Sequence, residues 1–346
     1  MKVVLINQGH TDNLGDKAIN EAIRAMLPKN WEVQSCPFDF YIFKQKNIIT
    51  RVCNKILNLN HDVLVYFKRK KIQRMIKSQH FDAAIIGGGE LLGSDYDQFC
   101  LDFDAWTKVL SSLSIPIYAI GLSGNSAKRE WIFRHFKKSL ARCKYISVRD
   151  KSTLELVRTD YGINNCEYFP DVVFSFRAGF VLESKDRDLL LCVPSRITHA
   201  PDSFSKLGIS SVDEYYEYLY CNIVDLANKY SLTKIKLTTT TLEDRDTCEK
   251  LLKYCDSKDS KYIFLYEPCE TLSNYINILR DVRVILSGRM HACILGLIHG
   301  CEFQIVPYKE KLIVFSQEYD NCNIELIHEE SKKSISKVVN LIENQK

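Results

Sequence analysis

Short apolar runs alternate with amphipathic stretches along the whole chain. The runs occupy residues 3–6, 83–86, 117–120, 145–148, 189–193, 235–237, 262–265, 282–286 and 303–306, and several lead directly into Gly or Ser. Runs this compact are what parallel strands buried on both faces look like, since neither face needs polar side chains. Between them the apolar positions follow a helical period. Trp131, Ile132, Phe133 and Phe136 fall toward one face of 130–136, and the stretch from Glu214 to Leu226 repeats the pattern. The alternation predicts βα repeats, and hence an α/β protein with doubly wound parallel sheets.

A more polar stretch between Phe174 and Asp188 interrupts the pattern, which restarts at Leu189. This predicts an N-terminal Rossmann-like domain over 1–180 and a C-terminal one over 181–328. The tail 329–346 reads as one amphipathic helix with Ile335, Val338, Val339 and Ile342 on its apolar face, suited to pack back on the N-terminal domain. A length of 346 residues agrees with two domains of roughly 150 each. Ligands of such sheets gather at the carboxyl ends of strands, so the residues just after each run are the candidates for chemistry. Two such sheets facing each other would form a cleft.

Composition narrows the function classes. With 46% hydrophobic and 26% charged residues, a disordered or fibrous chain is excluded. The 47 basic and 43 acidic residues leave +4, too little for bulk attraction to nucleic acid. Thirteen scattered cysteines, odd in number and without a CxxC pair, predict reduced, mostly buried thiols in a cytoplasmic protein. The apolar run after Met1-Lys2 is too short for a signal peptide, and no run approaches the length of a membrane span.

The first strand leads into Asn7-Gln8-Gly9-His10-Thr11-Asp12-Asn13-Leu14-Gly15-Asp16, a turn-rich loop before a helix expected near Lys17, with Asp16 placed as its N-cap. It lacks the spacing of a phosphate-binding P-loop. Gly87-Gly88-Gly89-Glu90 follows the second run as an expected tight turn, where glycine lets backbone approach a ligand. Gly121-Leu122-Ser123-Gly124 is not a nucleophile elbow. Arg149 and Arg196 each follow a strand, one in each domain, and together suggest anion binding. The densest constellation is Ser287-Gly288-Arg289-Met290-His291, which opens a small-residue helix whose N-terminus favours a negative ligand. Pro307-Tyr308-Lys309-Glu310-Lys311 adds cations after the next strand. No Cys/His cluster with ligand spacing points to a metal.

Taken in order, Asn13-Leu14-Gly15-Asp16, Gly87-Gly88-Gly89, Gly121-Leu122-Ser123, Ser147-Val148-Arg149-Asp150, Pro170-Asp171-Val172, Ser287-Gly288-Arg289-Met290-His291 and Pro307-Tyr308-Lys309-Glu310-Lys311 resemble the polysaccharide pyruvyltransferase family. The resemblance implies two glycosyltransferase-B-like domains. It also implies transfer of the enolpyruvyl part of phosphoenolpyruvate to a sugar, giving a pyruvate ketal of a cell-surface polysaccharide. By motif it makes Arg289 and His291 donor-site residues, with Arg149, Arg196 and Lys311 as further cations; Lys309 competes with Lys311. Asn13, Gly88 and Gly89 fall to loops on the acceptor side. Phosphoenolpyruvate carries a carboxylate and a phosphate for Arg149, Arg196, Arg289 and Lys311 to divide. Its methylene carbon must gain a proton while a hydroxyl loses one, which suits His291 as acid and Asp16 or Glu90 as base. No cofactor or metal is required.

The basic stretch from Tyr66 to Lys77 reads either as a solvated helix face or as a contact with the anionic inner face of a membrane. The second reading suits a lipid-diphosphate-linked acceptor. No recognition module for nucleic acid accompanies it. Two competing readings are a nucleotide-sugar glycosyltransferase of the same architecture and a non-enzymatic anion- or glycan-binding protein.

Overall fold

A computed structural model describes residues 1–42, 48, 60–77, 79–93, 97–176, 187–197, 201–258 and 261–345. Its contacts divide into two units. The first is Met1–His10, Ile19–Ser175 and His328–Lys346; the second is Thr11–Ala18 with Phe176–Ile327. The boundary expected at 180/181 lies outside the described residues. The loop after the first strand counts with the second unit, which the sequence pattern does not reveal.

The first unit carries β1 (Lys2–Asn7), α1 (Leu14–Met26) from Ile19 onward, β2 (Glu32–Pro37), α2 (His61–Ile76), β3 (Ala83–Leu92), α3 (Asp97–Ser112), β4 (Ile117–Gly124), α4 (Glu130–Leu140), β5 (Tyr145–Val148), α5 (Lys151–Glu155) and β6 (Cys166–Tyr168). All strand pairs are parallel, in the order β2-β1-β3-β4-β5-β6. The order reverses between β1 and β3, which marks the topological switch point of the sheet. Its central strands are buried on both faces, as their apolar runs predict. The outermost strands β2 and β6 escape the sequence pattern, because an edge strand is partly solvated and keeps polar residues.

The second unit carries β7 (Leu189–Val193), α6 (Pro201–Leu207), α7 (Val212–Lys229), β8 (Lys234–Leu237), α8 (Arg245–Asp256), β9 (Ile263–Tyr266), α9 (Leu272–Leu279), β10 (Val282–Ser287), α10 (Met290–Ile298), β11 (Glu302–Ile305) and α11 (Glu310–Tyr319). Its parallel sheet has the order β11-β10-β7-β8-β9, with the switch point between β7 and β10. Each sheet is Rossmann-like and doubly wound. The chain closes with α12 (Ile324–Glu343), which buries Ile335, Val338 and Ile342. Within the first unit its Ser334 Oγ lies 2.8 Å from Ser147 Oγ, and Ser331 Oγ donates to the Asp171 carbonyl at 2.8 Å.

Three local expectations are corrected. The Gly87-Gly88-Gly89 run is not a turn, because β3 continues through it to Leu92 while pairing with β4. Gly88 has φ +78°, and a β-carbon there would lie 2.0 Å from Cγ2 of Ile19, so the close approach of α1 requires glycine. The helix expected near Lys17 begins at Leu14. Asn13 rather than Asp16 therefore caps it, its Oδ1 accepting from Gly15 N at 2.9 Å and its carbonyl from Lys17 N at 3.2 Å. Lys68, expected in a basic surface patch, is 1% exposed and ion-paired with the buried Asp102.

Of the cysteines among the described residues, ten are buried. Burial pushes the thiols of Cys143 and Cys166 up to about 12, which keeps them protonated and unreactive at neutral pH.

Candidate active site

The switch point of the second sheet collects the candidate chemistry. Val193 at the end of β7 pairs with Ser287 at the end of β10, so the loops that carry Arg196 and Arg289 leave the sheet side by side. The loop after β8, on the other side of β7, completes the group. It runs through Thr238, Thr239, Thr240 and Thr241, all buried, to Leu242-Glu243-Asp244.

Asp244 is fully buried and forms a fork with Arg289. Its Oδ2 accepts from Nε and its Oδ1 from Nη2, both at 2.7 Å. The same Oδ1 accepts from the Arg196 backbone N–H at 2.7 Å. One carboxylate thus fixes both arginine-bearing loops. Two parallel charge-assisted bonds are the strongest arrangement available to this pair. Burial opposes the charge on Arg289, but the hydrogen bonds and charge of Asp244 outweigh it and raise the guanidinium pKa, so Arg289 stays cationic. Glu243, about half exposed, reaches both arginines: Oε1 lies 2.6 Å from Arg289 Nη2 and Oε2 3.7 Å from Arg196 Nη2.

Arg289 occupies the N-cap position of α10, and His291 lies in its first turn. The imidazole rests on the first turn of α1, just past the loop that follows β1. A β-carbon on Gly15 would lie 2.4 Å from His291 Nδ1 and 2.9 Å from His291 Cβ, so the absence of a side chain at residue 15 creates the ring's seat. That loop is tied to the β8 loop. Leu14 N donates to the Thr240 carbonyl at 2.8 Å, and Asp12 accepts from Leu242 N at 2.6 Å and from Thr241 Oγ1 at 3.0 Å. Burial opposes ionisation of Asp12, but these donors outweigh it and hold the carboxyl below its ordinary pKa. Asp16 accepts from Thr11 Oγ1 at 3.0 Å in the same segment.

The second unit therefore brings together Asn13, Asp16, Arg196, Arg289 and His291, with Lys311 in the first turn of α11. Gly88, Gly89, Glu90 and Arg149 belong to the first unit. There Arg149 is buried and donates from Nη1 to Asp171 at 2.7 Å, within the field of Asp150 and Glu90. Burial opposes its charge, yet Asp171 more than offsets this and raises its pKa. Sequence reasoning missed Glu243 and Asp244 although they follow a strand, because a search for anion binders passes over acids. Among the described residues, no group of three or more His, Cys, Asp or Glu is placed to hold a metal ion.

Residues 13–310 match the sequence profile of the family described as polysaccharide pyruvyl transferase. None of the curated proteins matches the chain in sequence. Among solved structures, a putative UDP-N-acetylglucosamine 2-epimerase from Listeria monocytogenes is similar, with a TM-score of 0.55 at 12% identity, over 97% of this chain and 90% of that one. The UDP-GlcNAc 2-epimerase of Methanocaldococcus jannaschii superposes with a TM-score of 0.54 at 13% identity, over 99% and 100%. At such identities the likeness shows the fold, a glycosyltransferase-B-like pair of Rossmann-like units.

Proposed function

The chain belongs to the polysaccharide pyruvyl transferase family, and from that premise we propose that it moves the enolpyruvyl group of phosphoenolpyruvate onto two hydroxyls of a sugar, closing a pyruvate ketal. The observation that carries this reading is the convergence of Arg196 and Arg289 on the same two acids at one switch point, with His291 in the first turn of the helix that Arg289 caps. In this reading the arginines hold the carboxylate and phosphate of the donor. His291 gives a proton to the methylene carbon as the first sugar hydroxyl bonds to the neighbouring carbon. Asp16, adjacent to the glycine under His291 and in the same unit, takes the hydroxyl proton. The carbon–oxygen bond to phosphate then breaks with its electron pair, and the second hydroxyl bonds to the resulting cationic carbon and releases its proton. The products are the ketal and inorganic phosphate.

Calorimetric titration tests the donor. Wild type is expected to bind phosphoenolpyruvate, and Arg196→Ala to bind it about tenfold to a hundredfold more weakly, the worth of one charge-assisted hydrogen bond. Arg196 is the better probe, because Arg289→Ala would strand the buried Asp244. Binding only to a nucleotide sugar in a parallel panel would replace this reading with the glycosyltransferase one.

The acceptor side of the proposal includes an anionic membrane surface. Among the described residues, no helix is long and apolar enough to cross a membrane. With Lys68 buried, the exposed residues of α2 are Asp62, Val63, Tyr66, Phe67, Lys70 and Arg74, which share one helical face by their spacing of three and four and carry two cations against one acid. Aromatic and cationic side chains together suit the boundary between acyl chains and anionic headgroups, where a lipid-diphosphate acceptor would lie. Lys70→Glu with Arg74→Glu is expected to lower co-sedimentation with phosphatidylglycerol vesicles at least about tenfold, at about 1 kcal/mol per cation. Equal sedimentation of variant and wild type would remove the membrane from the proposal.

A further inference from the structure

Glu243 is about half exposed, yet its carboxylate spans the two arginines of the anion site. Its neighbours in the chain are fixed. Leu242 N donates to Asp12 at 2.6 Å, and Asp244 is buried in its fork with Arg289. The backbone at 243 is therefore anchored on both sides, while the side chain can rotate into solvent on the fast timescale of exposed rotamers. The two residues of opposite function are adjacent: Asp244 is the permanent partner that orients Arg289, and Glu243 holds the solvent side.

Charge decides what this arrangement does. Arg196 and Arg289 supply two positive charges, and Asp244 and Glu243 supply two negative ones, so the cluster is neutral while Glu243 stays in place. A neutral cluster offers little to an anion. Once Glu243 swings away, one net positive charge and two guanidinium groups are opened to a ligand.

We propose that Glu243 is a resident counter-ion that sets the charge a ligand must carry to enter the site. An incoming carboxylate or phosphate takes the place of the Glu243 carboxylate on Arg196 and Arg289. A ligand with both groups, such as phosphoenolpyruvate, displaces Glu243 readily, whereas a monoanion such as pyruvate competes poorly. Glu243 is thus a specificity-determining residue that discriminates the donor from pyruvate, its dephosphorylated counterpart. The inference rests on the donor reading above, but its central claim concerns anion binding by this cluster and is measurable without transfer activity.

The experiment compares wild type with Glu243→Gln, which keeps the shape of the side chain and removes its charge. Affinities for inorganic phosphate, phosphoenolpyruvate and pyruvate are measured by calorimetry in chloride-free buffer. Glu249→Gln, which removes the same charge from an exposed position of α8, serves as the control. Glu243→Gln is expected to bind phosphate and pyruvate roughly fivefold more tightly than wild type, the worth of one partly exposed ion pair, with Glu249→Gln unchanged. The preference for phosphoenolpyruvate over pyruvate should narrow. Unchanged or weaker phosphate binding in Glu243→Gln would overturn the inference, and so would an equal gain in Glu249→Gln. If phosphoenolpyruvate fails to bind any variant while phosphate binds Glu243→Gln more tightly, the donor reading fails and the counter-ion role stands.

Discussion

Gly15→Ala is expected to cut pyruvyl transfer about a hundredfold while the protein stays folded. The new methyl group would lie 2.4 Å from Nδ1 and 2.8 Å from Cγ of His291, so the imidazole must leave its seat. Misplacing a reacting group by about 1 Å costs on the order of a hundredfold in rate. Stability should change little, because residue 15 lies in the first turn of α1, where alanine is the better helix former by up to about 1 kcal/mol, and this gain offsets part of the cost of the 2.9 Å approach to His291 Cβ. Loss of activity with a retained or raised melting temperature separates a positioning effect from unfolding. A double-mutant cycle sharpens the test. In a His291→Ala background there is no ring to displace and only the contact with the β-carbon of residue 291 remains, so adding Gly15→Ala should cost far less activity. A wild-type rate in Gly15→Ala, or the same loss in both backgrounds, would show that the seat is irrelevant to the reaction.

Lys68→Ala is expected to destabilise the first unit by about 3–5 kcal/mol, enough to threaten folding at physiological temperature. Lys68 and Asp102 are 1% and 0% exposed, and they form an ion pair beneath α2 and α3. The Lys68 ammonium also donates to the Phe40 carbonyl at 3.1 Å, whereas Asp102 Oδ2 finds no hydrogen-bond partner among the described residues. Removing the lysine leaves a buried carboxylate with nothing to compensate it. Burial pushes the Asp102 carboxyl up to about 7 even with the Lys68 charge opposing the shift.

The sign of the pH dependence follows from that direction. A folded-state pKa above the unfolded value supports the fold at low pH and withdraws that support as pH rises. Without the Lys68 charge the carboxyl is pushed higher still, so the deficit of Lys68→Ala against wild type should change little up to about pH 7 and grow above it, where wild type releases the Asp102 proton and the variant holds it. Urea denaturation across that range measures it. Lys68→Met combined with Asp102→Leu should recover most of the loss, since an apolar pair needs no desolvation of charge. A deficit under about 1 kcal/mol in the single variant would show that the pair is not the element holding α2.

The basic stretch that contains Lys68 shows where sequence stops being sufficient. Leu64, Lys68, Ile72 and Ile76 recur at intervals of four, and the other three are apolar, so the period places Lys68 on the buried stripe. What the period does not contain is Asp102. The partner sits on another helix, and without it a buried lysine is too costly to predict.

The same division holds across the molecule. By itself the sequence determined the alternation of strands and helices, the interior strands of both sheets and the loops that bear the candidate chemistry. These depend on local periodicity, which records how each residue partitions between water and core. It also carried the ordered motifs from Asn13 to Lys311. Only the tertiary structure decided that β7 lies beside β10, and hence that Arg196 and Arg289 share one site with the acids that follow β8. It alone set Gly15 beneath His291 and gave Arg149 a buried partner in Asp171. Strand order and charge pairing are relations between distant segments, fixed by the joint burial of whole sheets, and no short stretch of chain encodes them.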